Sequence, residues 1–175
     1  MTSTETLRIN QLIRYIPDIW EYKNVLYIGA NGKRFFFRKA LEEHNMNITV
    51  LEASKERCLE LEKLYPNIKI INMDVRNIES LGRFDSVWWF HGPTMLYREE
   101  AFKSIKLVGT KGKLIMLSSP WGKYKVGKGG IYILDGNKFP MYEKDFQNFG
   151  YYTNTIGEKD VNGSNLLAWR YNKWS

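Results

Sequence analysis

One cysteine in 175 residues, Cys58, leaves no internal disulfide possible, and a reducing, cytoplasmic setting is the expectation. Two glycosylation-like triplets, Asn47-Ile48-Thr49 and Asn162-Gly163-Ser164, then read as accidental. Long apolar runs are missing as well. Nothing approaches the ~20 continuous apolar residues of a membrane span. Met1 to Trp20 lack the apolar core and small-residue cleavage site of a secretion signal, so no leader is expected. The two histidines and the lone cysteine form no cluster that suggests a metal. Proline- or serine-rich linkers, internal repeats and low-complexity blocks are absent too. One domain over 1–175 follows as the expectation.

What is present has the balance of a globular domain, with 43% hydrophobic and 26% charged residues. The net charge is +7, and it is localised. Between Ala101 and Leu134 stand Lys103, Lys106, Lys111, Lys113, Lys123, Lys125 and Lys128 with no acid. Such a segment can steer an anionic partner. It can equally be ordinary surface solvation.

Along the chain, strand-like and helix-like segments alternate. Thr6 to Tyr15 reads as an amphipathic helix through Leu7, Ile9, Leu12, Ile13 and Ile16, within a helical segment 1–20, and Pro17 stops it. "NVLYIG" is a nearly all-apolar strand of the kind buried on both faces. "KRFFFRKALEEHN" is a helix and "NITVLEA" a second strand. Ser54 can cap "KERCLELEKLY", whose Cys58, Leu61 and Leu64 share a face. "NIKIINM", "FDSVWWF" and "GKLIMLSS" are strands three to five, with a helical turn at "IESLG" and a helix "REEAFKSIKLV" that Gly109 ends. Five buried strands joined by helices imply a parallel sheet with right-handed crossovers. Residues 119–140 form a glycine- and lysine-rich loop that can hold a small hairpin, and "YEKDFQNFG" is a last short helix. "YYTNTIGEKDVNGSNLLAWRYNKW" reads as two antiparallel strands around Asn162-Gly163.

In an open parallel sheet, ligands sit at the carboxyl ends of the strands where strand order reverses. The first such end is Gly29-Ala30-Asn31-Gly32, where glycine permits close approach to the main chain and the next helix offers unpaired N–H groups. Strand two ends at Glu52, placed to accept bonds from two ribose hydroxyls. Strand three ends at Met73-Asp74, and Asp74 could accept from an exocyclic amine. Each feature alone is also an ordinary structural one; their succession on three strand ends is more specific.

"VLYIGANGK", "TVLEAS", "INMDV" and "FDSVWWF", with the terminal antiparallel pair, resemble the class I S-adenosylmethionine-dependent methyltransferases over about Val25 to Tyr171. The resemblance implies a Rossmann-like domain of α/β class, with a seven-stranded, mostly parallel sheet and helices on both faces. It implies S-adenosyl-L-methionine as cofactor, its methionine part over Gly29 to Gly32. Glu52 would take the ribose and Asp74 the adenine amine, with Ala53 and Val75 flanking the ring. Phe90 and His91 would sit beside the transferable methyl. The family usually has an acid where Tyr27 stands and further glycines where Asn31 and Lys33 stand. Tyr27 thus occupies a cofactor-side position with altered chemistry.

Methyl transfer needs alignment above all, and a base only where the nucleophile must lose a proton early. His91 is the candidate base; the other reading is a histidine that braces the turn before Pro93. His44 reads as structural, Cys58 as a small core residue, and Trp88 and Trp89 as core on opposite faces. "HGPT" differs from the Asn/Asp-Pro-Pro-aromatic motif of many amino-methylating nucleic-acid enzymes. In the loop after strand five, Trp121, Tyr124 and Tyr132 interleave with Lys123, Lys125 and Lys128. The substrate candidates Trp121, Lys123, Tyr124 and Lys125 suit stacking and phosphate contact, or a lid over a small substrate. The acceptor stays open between nucleic acid and an anionic small molecule. Two alternatives remain: an inactive module that kept the fold, and an NAD-dependent oxidoreductase. The latter requires a parallel sixth strand and no terminal hairpin.

Overall fold

In the computed structural model, residues 10–30, 38, 40, 42–90, 92–120, 124–126, 130–132, 139–156 and 165–173 are described, with backbone alone for 120, 124–126 and 130–132. Among the described residues nine strands and the helices α1 to α3 follow in the order β1 (Asn24–Ile28), β2 (Asn47–Glu52), α1 (Lys55–Leu64), β3 (Lys69–Asn72), β4 (Phe84–Phe90), α2 (Arg98–Val108), β5 (Gly112–Pro120), β6 (Tyr124–Val126), β7 (Gly130–Tyr132), α3 (Glu143–Gln147), β8 (Tyr152–Ile156) and β9 (Asn165–Tyr171). Seven of the strands form one sheet in the order β3-β2-β1-β4-β5-β9-β8. The first five run parallel. β9 is antiparallel to β5, and β8 antiparallel to β9. This is the methyltransferase arrangement that the resemblance implied, and the parallel sixth strand of the oxidoreductase alternative is not what the chain builds.

Alternation along each central strand splits the core into two layers. Leu26, Ile28, Leu51, Val87, Trp89, Ile115 and Leu117 face one side, where Ala101, Ile105 and Val108 of α2 and Phe146 of α3 cover them. Val25, Tyr27, Ile48, Val50, Trp88, Leu114 and Met116 face the other, covered by Leu12, Ile16 and Ile19 before β1, by Ala40, and by Leu61 of α1. Trp88 and Trp89 thus enter opposite layers as expected. The helix before Pro17 runs through Tyr15, and the described residues 38, 40 and 42 of the segment after β1 are helical. The small ribbon within 119–140 is present as β6 antiparallel to β7. Among the described residues no helix is long and apolar enough to cross a membrane.

Ser54 caps α1, its hydroxyl accepting from the Arg57 N–H. Cys58 and Leu61 are buried, but Leu64 is 53% exposed. Among the described residues the buried face of α1 ends one turn early, beside β3, the four-residue edge strand of the sheet. Gly109 ends α2 without a left-handed backbone, at φ −57°. Its reason is space: a Cβ there would lie 2.5 Å from Nη2 of Arg170, which donates to the Gly109 carbonyl at 2.6 Å. The same guanidinium donates to the Phe149 carbonyl at 2.7 Å and lies over the Tyr151 ring. It fastens β9 to the ends of α2 and α3.

The segment before β1 is tied to β9 through one carboxylate. Asp18 accepts from the Tyr22 hydroxyl at 3.0 Å and from the Tyr171 hydroxyl at 2.7 Å. Burial and the bond to Asp18 push the Tyr22 phenol up to about 12, and the same causes raise Tyr171. A raised phenol holds its proton more tightly when folded. Its contribution is therefore complete below the ordinary phenol range near 10 and is lost as pH rises through the folded value. Wild type is expected to exceed Asp18→Asn by about 1 kcal/mol at pH 7, with the gap closing between pH 10 and 12. Urea unfolding of both proteins across that range checks it; a constant gap would remove the phenols from the account.

Candidate cofactor and methyl-transfer site

Strand order reverses between β1 and β4, and the sheet register brings the predicted positions into one row. Ile28 lies opposite Leu51 of β2 and Trp89 of β4, so the next residue, Gly29, falls between Glu52 and Phe90. The Gly29 N–H donates to the Leu51 carbonyl at 2.8 Å, and Met73 N–H donates to the Glu52 carbonyl at 3.1 Å. Glu52 is opposite Asn72, the last residue of β3, and Asp74 lies two residues further. From β3 to β4 is three inter-strand steps, about 14 Å at ~4.8 Å each. A ligand of nucleoside-plus-amino-acid size can lie along that row.

Gly29 has φ +66°, a backbone that glycine adopts without strain, and among the described residues nothing lies within 4 Å of the place a Cβ would take. Ala30 is buried, while Asn31 and Gly32 lie outside the described residues. Glu52 is 6% exposed. Its Oε1 accepts the Ser54 N–H at 2.8 Å, whereas Oε2 is buried with no hydrogen-bond partner among the described residues. A buried carboxylate oxygen left without a donor is costly, and a donor from a water or a ligand would relieve it. The Asn72 amide fixes the same corner by donating to the Glu52 and Ala53 carbonyls at 3.0 and 3.1 Å.

Ala53 is exposed and Val75 buried on the two sides of that corner. Asp74 caps the 3-10 turn Val75–Ser80 and takes a fork from Arg76: Oδ1 accepts the Arg76 N–H at 2.8 Å and Nε–H at 2.9 Å, and Oδ2 accepts from Nη2 at 2.8 Å. The guanidinium holds the Asp74 carboxyl below the usual carboxylate range. Arg76 reaches on to Glu100 of α2 at 2.6 Å. This clamp escaped the sequence reading, although Asp-x-Arg at the start of a helical turn is a local hydrogen-bonding pattern that could have signalled it.

Tyr27 is fully buried, its ring edge-on to Trp88 and Phe90 at centroid separations of 5.7 Å each. Where relatives of the resembled family carry an acid, this chain carries part of its core. Phe90 is half-buried at the β4 lip. Past it, a Cβ on Gly92 would overlap the Trp89 indole, so position 92 has no room for a side chain while the indole keeps its place. His91 lies outside the described residues, as do Trp121 and Lys123. Tyr124 and Lys125 are described in backbone only, opposite Tyr132 and Ile131. Two lysines of the basic stretch are committed elsewhere. Lys111 donates to the Glu79 and Leu81 carbonyls, and Lys113 pairs with Asp85 at 3.2 Å. Cys58 is buried mid-helix with its thiol pushed up by burial and then by Glu52, the state of a packing residue rather than a thiolate.

No protein-family model and no curated protein matches the sequence. Solved structures do match in fold. The methyltransferase domain of bacterial CtHen1 is 13% identical, with 97% of this chain and 100% of that one covered at a TM-score of 0.72. CalS10, an amino pentose methyltransferase from Micromonospora echinaspora solved with S-adenosylmethionine, is 11% identical over 97% and 92% of the two chains, at 0.68. A S-adenosylmethionine-dependent methyltransferase from Archaeoglobus fulgidus is 17% identical over 96% and 95%, at 0.66. At these identities the likeness is one of fold, and the fold is that of the class I methyltransferases.

Proposed function

We propose that this chain binds S-adenosylmethionine along the row from β3 to β4 and transfers its methyl group to an acceptor. One observation carries the reading: the buried Oε2 of Glu52, without a donor among the described residues, beside the left-handed turn at Gly29. Glu52 accepts the ribose hydroxyls, with Oε1 already anchored by Ser54. Gly29, Ala30, Asn31 and Gly32 lie along the methionine part. Asp74 accepts the adenine amine, Ala53 and Val75 flank the ring, and Phe90 stands at the reacting end. Tyr27 supports this lip from below through its contact with Phe90. When bound, the cofactor supplies an electrophilic methyl on a sulfonium, open to in-line displacement. His91 accepts the proton where the acceptor's nucleophile must lose one.

The acceptor is anionic in this reading, a nucleic acid or a small molecule. Lys103 and Lys106, exposed on α2, and the lysines of 119–140 support it, together with Trp121 and Tyr124 as stacking groups. The test is calorimetric titration with S-adenosylmethionine, S-adenosylhomocysteine and NAD. Micromolar heats for the first two and none for NAD are expected; no heat with any of them overturns the reading. Tight binding with no transfer to RNA, DNA or small anionic acceptors would instead favour a binding module without turnover, which the loss of the acid at Tyr27 motivates.

A further inference from the structure

The Asp74 carboxylate offers roughly four lone-pair directions. Arg76 fills three of them, two on Oδ1 and one on Oδ2. One acceptor direction is left, on Oδ2. Arg76 does not act alone. Its Nη1 donates to Glu100 Oε1 at 2.6 Å, and Glu100 Oε2 accepts the Tyr97 N–H at 3.3 Å at the start of α2. The clamp therefore spans from the end of β3 to the first turn of α2. Both charged partners are half-exposed, with side chains of Arg76 and Glu100 at 50% and 36%. Surface ion pairs of this kind contribute little to stability. A planar fork, by contrast, fixes direction well.

We infer that Arg76, braced by Glu100, is a positioning residue that gives the site its selectivity for an exocyclic amine. It turns Asp74 so that a single fixed acceptor faces the ligand's purine edge. The inference rests on the cofactor reading above. It adds that the amine is read by a clamped carboxylate and not by a freely rotating one. A free carboxylate can swing away from a carbonyl oxygen that replaces the amine and let water fill the gap. A clamped one is held lone pair against lone pair and must reject it. Directional hydrogen-bonding sites discriminate in this way, because the mismatched group is left desolvated and unpaired.

The experiment compares S-adenosylhomocysteine with S-inosylhomocysteine, in which the amine is a carbonyl oxygen. The ratio of their affinities cancels general charge effects and any loss of folded protein. Wild type is expected to prefer the amine by about 30-fold or more, and Arg76→Met by about threefold or less. Arg76→Lys keeps the charge without the fork and is expected to recover less than half of the lost discrimination on a logarithmic scale. Glu100→Gln should fall between wild type and Arg76→Met. If wild type and Arg76→Met discriminate equally, Arg76 has no such role while the cofactor reading stands. If wild type binds neither compound, the cofactor reading falls and this inference with it.

Discussion

Glu52→Gln is expected to lower affinity for S-adenosylhomocysteine by about 10- to 100-fold while leaving stability within ~1 kcal/mol of wild type. The separation follows from the two oxygens. Oε1 accepts the Ser54 N–H, a bond that the glutamine carbonyl can keep. Oε2 is buried and, among the described residues, without a donor. An amide NH2 in its place presents hydrogens to the ribose hydroxyls, so charge-assisted bonds are lost. In the free protein the same change removes a buried carboxylate oxygen that lacks a donor, which offsets the poorer fit of the amide. Glu52→Ala is a different experiment, because it also strips the Ser54 N–H of its acceptor beside the N-cap of α1. Calorimetry with thermal melts on the glutamine variant separates binding from folding. Undiminished affinity would remove Glu52 from the site.

Tyr27→Asp would introduce the acid usual at this place in the resembled family, and it is expected to unfold the chain. Tyr27 is fully buried, with Trp88 and Phe90 packed against its ring. An aspartate there removes the ring and buries a carboxylate among aromatic faces. Loss of a large aromatic alone costs about 3–5 kcal/mol, and the buried polar group adds to it. Against a typical stability of about 5–15 kcal/mol, most of the margin is gone. Tyr27→Phe keeps the ring contacts and is expected to stay within ~1.5 kcal/mol. Urea unfolding of the phenylalanine variant and far-UV circular dichroism of the aspartate variant measure both. A well-folded aspartate variant would mean that this part of the core repacks freely.

The parallel core was legible because buried strands announce themselves. "NVLYI" and "FDSVWWF" carry apolar residues for both layers, and the opposite destinations of Trp88 and Trp89 follow from a period of two. The places of Gly29 and Glu52 at the ends of β1 and β2 were legible for the same reason. That Leu64 shares a face with Cys58 and Leu61 did not reveal its exposure, because helical periodicity shows which residues share a stripe, not how far the opposing layer extends. Gly109 was placed correctly at a helix end, but its cause, the Arg170 guanidinium, lies 61 residues away. Glu100, 24 residues from Arg76, escaped for the same reason: sequence order does not show which surface charges meet.

Strand order also sets a schedule for folding. β8 precedes β9 in the chain, yet in the sheet β9 lies between β5 and β8. On a growing chain, β8 has no partner until β9 has been made, and β5 keeps a raw edge until then. Non-local pairing of this sort slows folding, and an unpaired hydrophobic edge invites pairing with another chain. β9 therefore closes the gap between β5 and β8, and the Arg170 contacts with Gly109 and Phe149 form only at that closing step. Nascent chains stalled before residue 165 should be the aggregation-prone ones.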